Sequence, residues 1–187
     1  LTALPHRQTT TGVDAGECYQ YVDGYVFGSV RGADFTIGGE SVSDMSMMVI
    51  GDNGNYATVP TSCSSSGGSA HNTVADFGAN GIIGIGQIDC GSYCASTVAN
   101  AYYFACPSTG CVNATIATTA QIPNPVAKMA VNNNGTVIDL PAVSGFGTST
   151  LTGTVYFGIG TQTNNTLGSQ TILPFNTNGY LTATYKG

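Results

Sequence analysis

The sequence has no tryptophan, and only four Lys and Arg residues stand against ten Asp and Glu, for a formal net charge of −6. With Arg7, Arg31, Lys128 and Lys186 as the whole basic complement, there is no cationic surface to neutralise phosphates, which excludes nucleic acid as a partner. No apolar run approaches the roughly 20 residues that cross a bilayer, so no membrane span is expected. The opening residues, 1–11, lack the charged-then-apolar order of a signal peptide, and any export signal is expected to have been removed or omitted. Only 7% of residues are charged, while Gly numbers 26 and Thr, Asn and Ser fill the gaps between short apolar runs. That balance predicts a mostly β chain with many tight turns and one or two short helices. The 187 residues suffice for one sizeable core or two adjoining lobes.

Cysteine is not scarce. Cys18, Cys63, Cys90, Cys94, Cys106 and Cys111 form an even set in a Lys-poor, Asn- and Thr-rich chain, which points to disulfides and an extracytoplasmic location, whether periplasm, cell surface or medium. The spacing of the last four lacks the paired two-residue knuckles of a zinc site, so no metal is assigned. This close group of four can satisfy itself, leaving Cys18 to reach Cys63.

Along the chain, CYQYV, Asp23-Gly24 and YVFGSV read as strand, turn and strand, the clearest hairpin present. A second hairpin with one buried face is expected around Gly38-Gly39. Residues 60–72 are small and polar and read as a loop pinned at Cys63. The glycine-punctuated apolar stretch 79–86 reads as a central, buried strand. Residues 96–103 are compatible with about two helical turns, and a short helix is expected after Pro125. Asn134-Gly135 then turns into a strand, and GTVYFGIGT, SQTILPF and GYLTATYKG read as three more.

The usual catalytic patterns are missing. There is no G-x-S-x-G elbow and no phosphate-loop or dinucleotide fingerprint, so no cofactor is expected. His6 and His71 have no acid or second histidine at chelating spacing and read as solvated surface residues. None of the ten carboxylates is followed by Thr-Gly or Ser-Gly, and most sit beside turns. Paired-carboxylate hydrolysis needs two acids held together, one protonated while the other activates water, and the sequence supplies no such pair.

The order of the pieces nevertheless resembles the pepsin-like aspartic proteases. Tyr21 through Gly28, with glycines three and seven positions after the tyrosine, resembles the flap hairpin. Residues 79–86 resemble the apolar strand behind the first catalytic loop, Asn124-Pro125-Val126 followed by 153–158 resembles the crossing into the second lobe, and 179–185 resembles the strand leading into the second catalytic loop. Within that superfamily, Cys90-Gly91-Ser92-Tyr93-Cys94, Asn132 through Gly135, and 157–161 with Asn164-Asn165 are similar to an uncharacterised exported bacterial family, domain of unknown function 3443.

The resemblance implies a pepsin-like β architecture incomplete at both catalytic loops, with a first-lobe-like region over 1–123 and a second-lobe-like region over 124–187. It implies a D-T-G-S-type loop just before Leu1 and a D-S-G-type loop just after Gly187, with no catalytic residue inside the chain. Tyr21, Asp23 and Gly24 are the implied flap and substrate-binding residues, closing over a peptide or protein substrate. Peptide hydrolysis is therefore expected only if the flanking aspartates exist, supplied by adjoining sequence or by an associated flanking chain. The competing readings are a non-catalytic extracellular binding module and a structural subunit of a surface layer or fibre, homo-oligomeric through exposed strand edges.

Overall fold

A computed structural model describes residues 3–65, 67–86, 90–173, 176 and 181. The chain divides into two compact units, Leu1–Gly135 and Thr136–Gly187, so residues 124–135 are counted with the first.

The first unit is built on a sheet whose strands run β1 (Ala15–Gln20), β2 (Gly24–Ile37), β3 (Glu40–Ile50), β4 (Ser69–Ala70), β5 (Tyr103–Ala105) and β6 (Val112–Asn113). Their spatial order is β3-β2-β1-β5-β6, with β4 parallel to the start of β2. Both expected hairpins are present. β1 and β2 pair antiparallel up to Gln20 opposite Tyr25, and β2 and β3 close with Ile37 opposite Glu40. Gly38 and Gly39 form that second turn at φ 58° and 84°, a left-handed pair that suits glycine and matches the right-handed twist of the strands.

Strand alternation sends neighbouring side chains into two cores, one on each face. Ala15, Val30, Cys94, Tyr103 and Ile116 pack on one face, while Cys18, Phe27, Tyr56, Cys63, Phe104 and Cys106 pack on the other. Phe27 and Phe104 meet edge to face at 5.5 Å between ring centroids. The second core is stapled by the Cys18–Cys63 disulfide, and Cys90–Cys94 and Cys106–Cys111 are the other two.

Three short helices complete the first unit: α1 (Thr61–Ser64), α2 (Val74–Phe77) and α3 (Gly91–Ser96). In α2, Thr73 Oγ1 accepts from Asp76 N at 3.1 Å and donates to the Asp76 carboxylate, and Gly78 ends the helix at φ 71°. Cys90, the N-cap of α3, and Cys94 within it are four apart, a spacing that places them on one side and lets them join.

Several expectations need correction. Residues 60–72 are pinned at Cys63 but also hold α1 and β4. Residues 96–103 are not a helix; the helical turns lie just upstream, and β-branched Thr97 and Val98 with Ala101 at φ 59° end them before β5. Residues 79–86 form neither a strand nor part of the core. Ile82, Ile83 and Ile85 are exposed, and the ladder they were expected to join is replaced by the Asn124 amide, which donates to the carbonyls of Ile85 and Gly86 at 3.0 and 3.2 Å. Glycines at 81, 84 and 86 make ordering that stretch entropically costly without a pairing strand. The helix after Pro125 is a single 3-10 turn, Val126–Lys128.

In the second unit, β7 (Thr136–Asp139) and β8 (Thr154–Phe157) are two of the strands expected from sequence, and they pair antiparallel. Asn165 is buried there and organises the following loop: its Oδ1 accepts from the N–H groups of Thr161 and Gln162, and its Nδ2 donates to Phe157 O. Residues 169–173 are irregular, and the expected strand over 179–187 lies outside the described residues except Leu181.

Candidate functional site

The β1–β2 turn brings together the three residues singled out from sequence. Tyr21 N donates to Gly24 O at 2.7 Å, closing a turn whose tip, Val22, is fully exposed. Tyr21 is half-buried with its ring 5.1 Å from that of Tyr19, in a tilted contact. Its phenol is pushed up by burial, with the charges of Tyr19, Glu17 and Asp23 adding to the shift. Asp23 points its carboxylate to solvent, while its main-chain carbonyl accepts from Ser69 N at 3.1 Å. His71 N donates to Tyr25 O at 2.8 Å, so β4 straps the turn to the sheet from the side opposite β1. Gly24 is required by close approach: a Cβ there would lie 2.1 Å from Ser69 O and 2.5 Å from His71 Nε2.

His71 was not expected here. Its Nδ1 lies 3.2 Å from Asp76 O, which can only accept, so Nδ1 is the donor in that contact. Its Nε2 is buried without a hydrogen-bond partner among the described residues and sits 3.9 Å from Asp23 Oδ1. His6 is likewise not simply a solvated residue: its ring stacks on Tyr56 and its Nδ1 is 3.1 Å from the Tyr56 hydroxyl. No local sequence signal joins His71 to Asp23, because β4 makes that contact only after folding.

Behind the turn, the alternation Ala15, Glu17, Tyr19 places a carboxyl on a buried sheet face. Glu17 stands opposite Gly28 on β2 and Tyr103 on β5. Burial pushes its pKa from 4.5 up to about 8, partly offset by a hydrogen bond from the Tyr103 hydroxyl. That hydroxyl also accepts from Ile122 N at 3.1 Å, and burial with the neighbouring Glu17 drives the phenol upward. Glu17 is therefore a neutral acid at pH 7, embedded among tyrosines. Strand periodicity alone could have found it, since position 17 shares its face with Ala15.

Several other described carboxylates have partners of their own. Asp52 binds Arg31 at 2.6 Å with both side chains buried, and accepts from Ser29 Oγ and Asn53 N. Burial alone would raise Asp52, but these hydrogen bonds and the Arg31 charge outweigh it and hold the carboxyl below its ordinary value. Asp44 receives both Arg7 guanidinium nitrogens, Glu40 accepts from Asn132, and Asp34 accepts from Asp44 N. No cluster of metal-ligating side chains occurs among the described residues.

These features define a mostly β protein cross-linked by three disulfides, which accords with an oxidising, extracytoplasmic setting. No helix among the described residues is long and apolar enough to cross a membrane. The chain belongs to the family described as protein of unknown function (DUF3443), whose model matches residues 2–187. No curated protein and no solved structure matches it.

Proposed function

We propose that this chain is the substrate-covering part of an exported, bacterial, pepsin-like protein, in which the Tyr21–Gly24 turn lies over an extended peptide. The observation that carries the reading is the turn itself, with an exposed tip at Val22 and a half-buried Tyr21 braced on Tyr19. Peptide hydrolysis then requires two aspartates from sequence beyond this chain, sharing one proton and activating water. The test is expression of the full gene product and assay of peptide cleavage at acidic pH, with Tyr21→Ala and replacement of each flanking aspartate. Cleavage lost on replacing either aspartate and weakened by Tyr21→Ala supports the reading. A gene without Asp-Thr/Ser-Gly loops on both sides overturns hydrolysis.

A second reading, a non-catalytic peptide-binding module, is favoured by one specific observation. Ser69 N and His71 N tie the turn to β4, which suits a fixed binding surface better than an opening lid. Under this reading, peptide affinity depends on Tyr21 while no cleavage accompanies binding.

A further inference from the structure

We propose that the outer edge of β6, facing the loop Thr58–Ser62, binds an extended, uncharged peptide by adding it as a strand to the sheet. β6 is the last strand in the sheet order. Ala114 N donates to Tyr103 O at 2.9 Å, and Val112 stands opposite Ala105. In an antiparallel ladder this turns the backbone of 112 and 114 toward β5 and the N–H and C=O of Asn113 outward. No described residue bonds to those two groups. Asn113 is itself among the residues lining a cavity of about 430 Å³, together with Thr58, Pro60, Ser62, Gly110 and Val112.

The same edge already accepts backbone addition at its next outward position. Thr10 N donates to Thr115 O at 3.1 Å, with the two threonine hydroxyls also in contact. Position 113 is the equivalent site two residues earlier. The Asn113 side chain does not compete for it, because its Oδ1 accepts from Ser62 Oγ and Ala101 N while its Nδ2 donates to Asn100. That amide instead fixes the distance between the edge and one wall of the cavity. No charged side chain lines the cavity, so a charged ligand group would lose water there without compensation, whereas hydroxyl and aliphatic side chains match Thr58, Thr61, Val59 and Val112. Main-chain pairing supplies affinity and the lining supplies selectivity, the division found in strand-addition sites. This site is separate from the Tyr21–Gly24 turn and does not rest on the function proposed for it.

The test is titration of the full, isotope-labelled chain with the blocked peptide acetyl-Thr-Val-Thr-Val-Thr-amide, followed by amide NMR. Saturable shifts at residues 58–62 and 110–113, with slowed exchange of the Asn113 N–H, are expected. Methylating alternate amide nitrogens of the peptide should weaken binding about tenfold, as should Thr58→Trp, which fills the cavity from an exposed position. Tyr21→Ala should leave this binding unchanged, which separates its failure from failure of the turn reading. Absence of shifts at both segments, equal binding of the methylated peptide, or loss of binding in Tyr21→Ala overturns the proposal.

Discussion

Replacing Glu17 with Gln keeps the hydrogen bond to Tyr103 and removes the ionisable group, so the difference between the two proteins isolates one titration. The folded chain holds the Glu17 proton up to about pH 8, while an unfolded chain releases it near 4.5. Between these values the native state binds the extra proton, so stability falls as pH rises. The loss is absent below the lower value and complete above the upper one. At pH 7 it amounts to about 3 kcal/mol, and above pH 8 to about 5 kcal/mol. Urea unfolding of both proteins at pH 4, 7 and 9 measures this. Near-coincidence at pH 4 and a growing advantage for Glu17→Gln toward pH 9 are expected. Parallel stability curves across that range would refute the reasoning, since a carboxyl that ionises alike in both states contributes no slope.

Asp52→Ala leaves Arg31 buried without its carboxylate and should cost about 3–5 kcal/mol in denaturant unfolding; because the folded Asp52 value is lowered, the wild-type contribution should also fade as pH drops through the acid range. Removing the Cys18–Cys63 link, which joins residues 45 apart, should cost about 4 kcal/mol, against about 2 for either short bridge, in the chain-entropy description. Non-reducing peptide mapping of the starting protein must first recover the three pairs seen here. Gly24→Ala drives a methyl into Ser69 O and should destabilise by about 1–3 kcal/mol, with faster amide exchange at His71 as the local readout.

The parts legible from sequence were those specified locally. Gly38-Gly39 marks a turn because of what glycine permits in the backbone, Asp23-Gly24 marks the end of one although Gly24 itself opens β2, and the flanking aromatic and β-branched residues mark strands. The Cys18–Cys63 pair followed because four close cysteines could satisfy one another. What failed depended on distant partners. Residues 79–86 have the composition of a buried strand, yet a run of isoleucines and glycines becomes one only beside a free edge, and among the described residues it is held by Asn124 instead. His71 gained a place at the turn only through β4, a two-residue strand too short to show any periodicity. Glu17 was passed over as one of many surface acids, although the strand pattern around it, with Ala15 and Tyr19, was already visible.

The position of the Cys18–Cys63 bond has a mechanical consequence. Both β2 and β3 lie wholly inside the loop it closes. A pull along the chain would pass from residue 18 to residue 63 through sulfur, so the longest strand pair would bear little of the load. About 150 Å of contour would remain hidden until that bond was reduced. Tension on the chain would thus detach β5, β6 and the sequence beyond them while leaving the central hairpin folded inside a covalently closed loop.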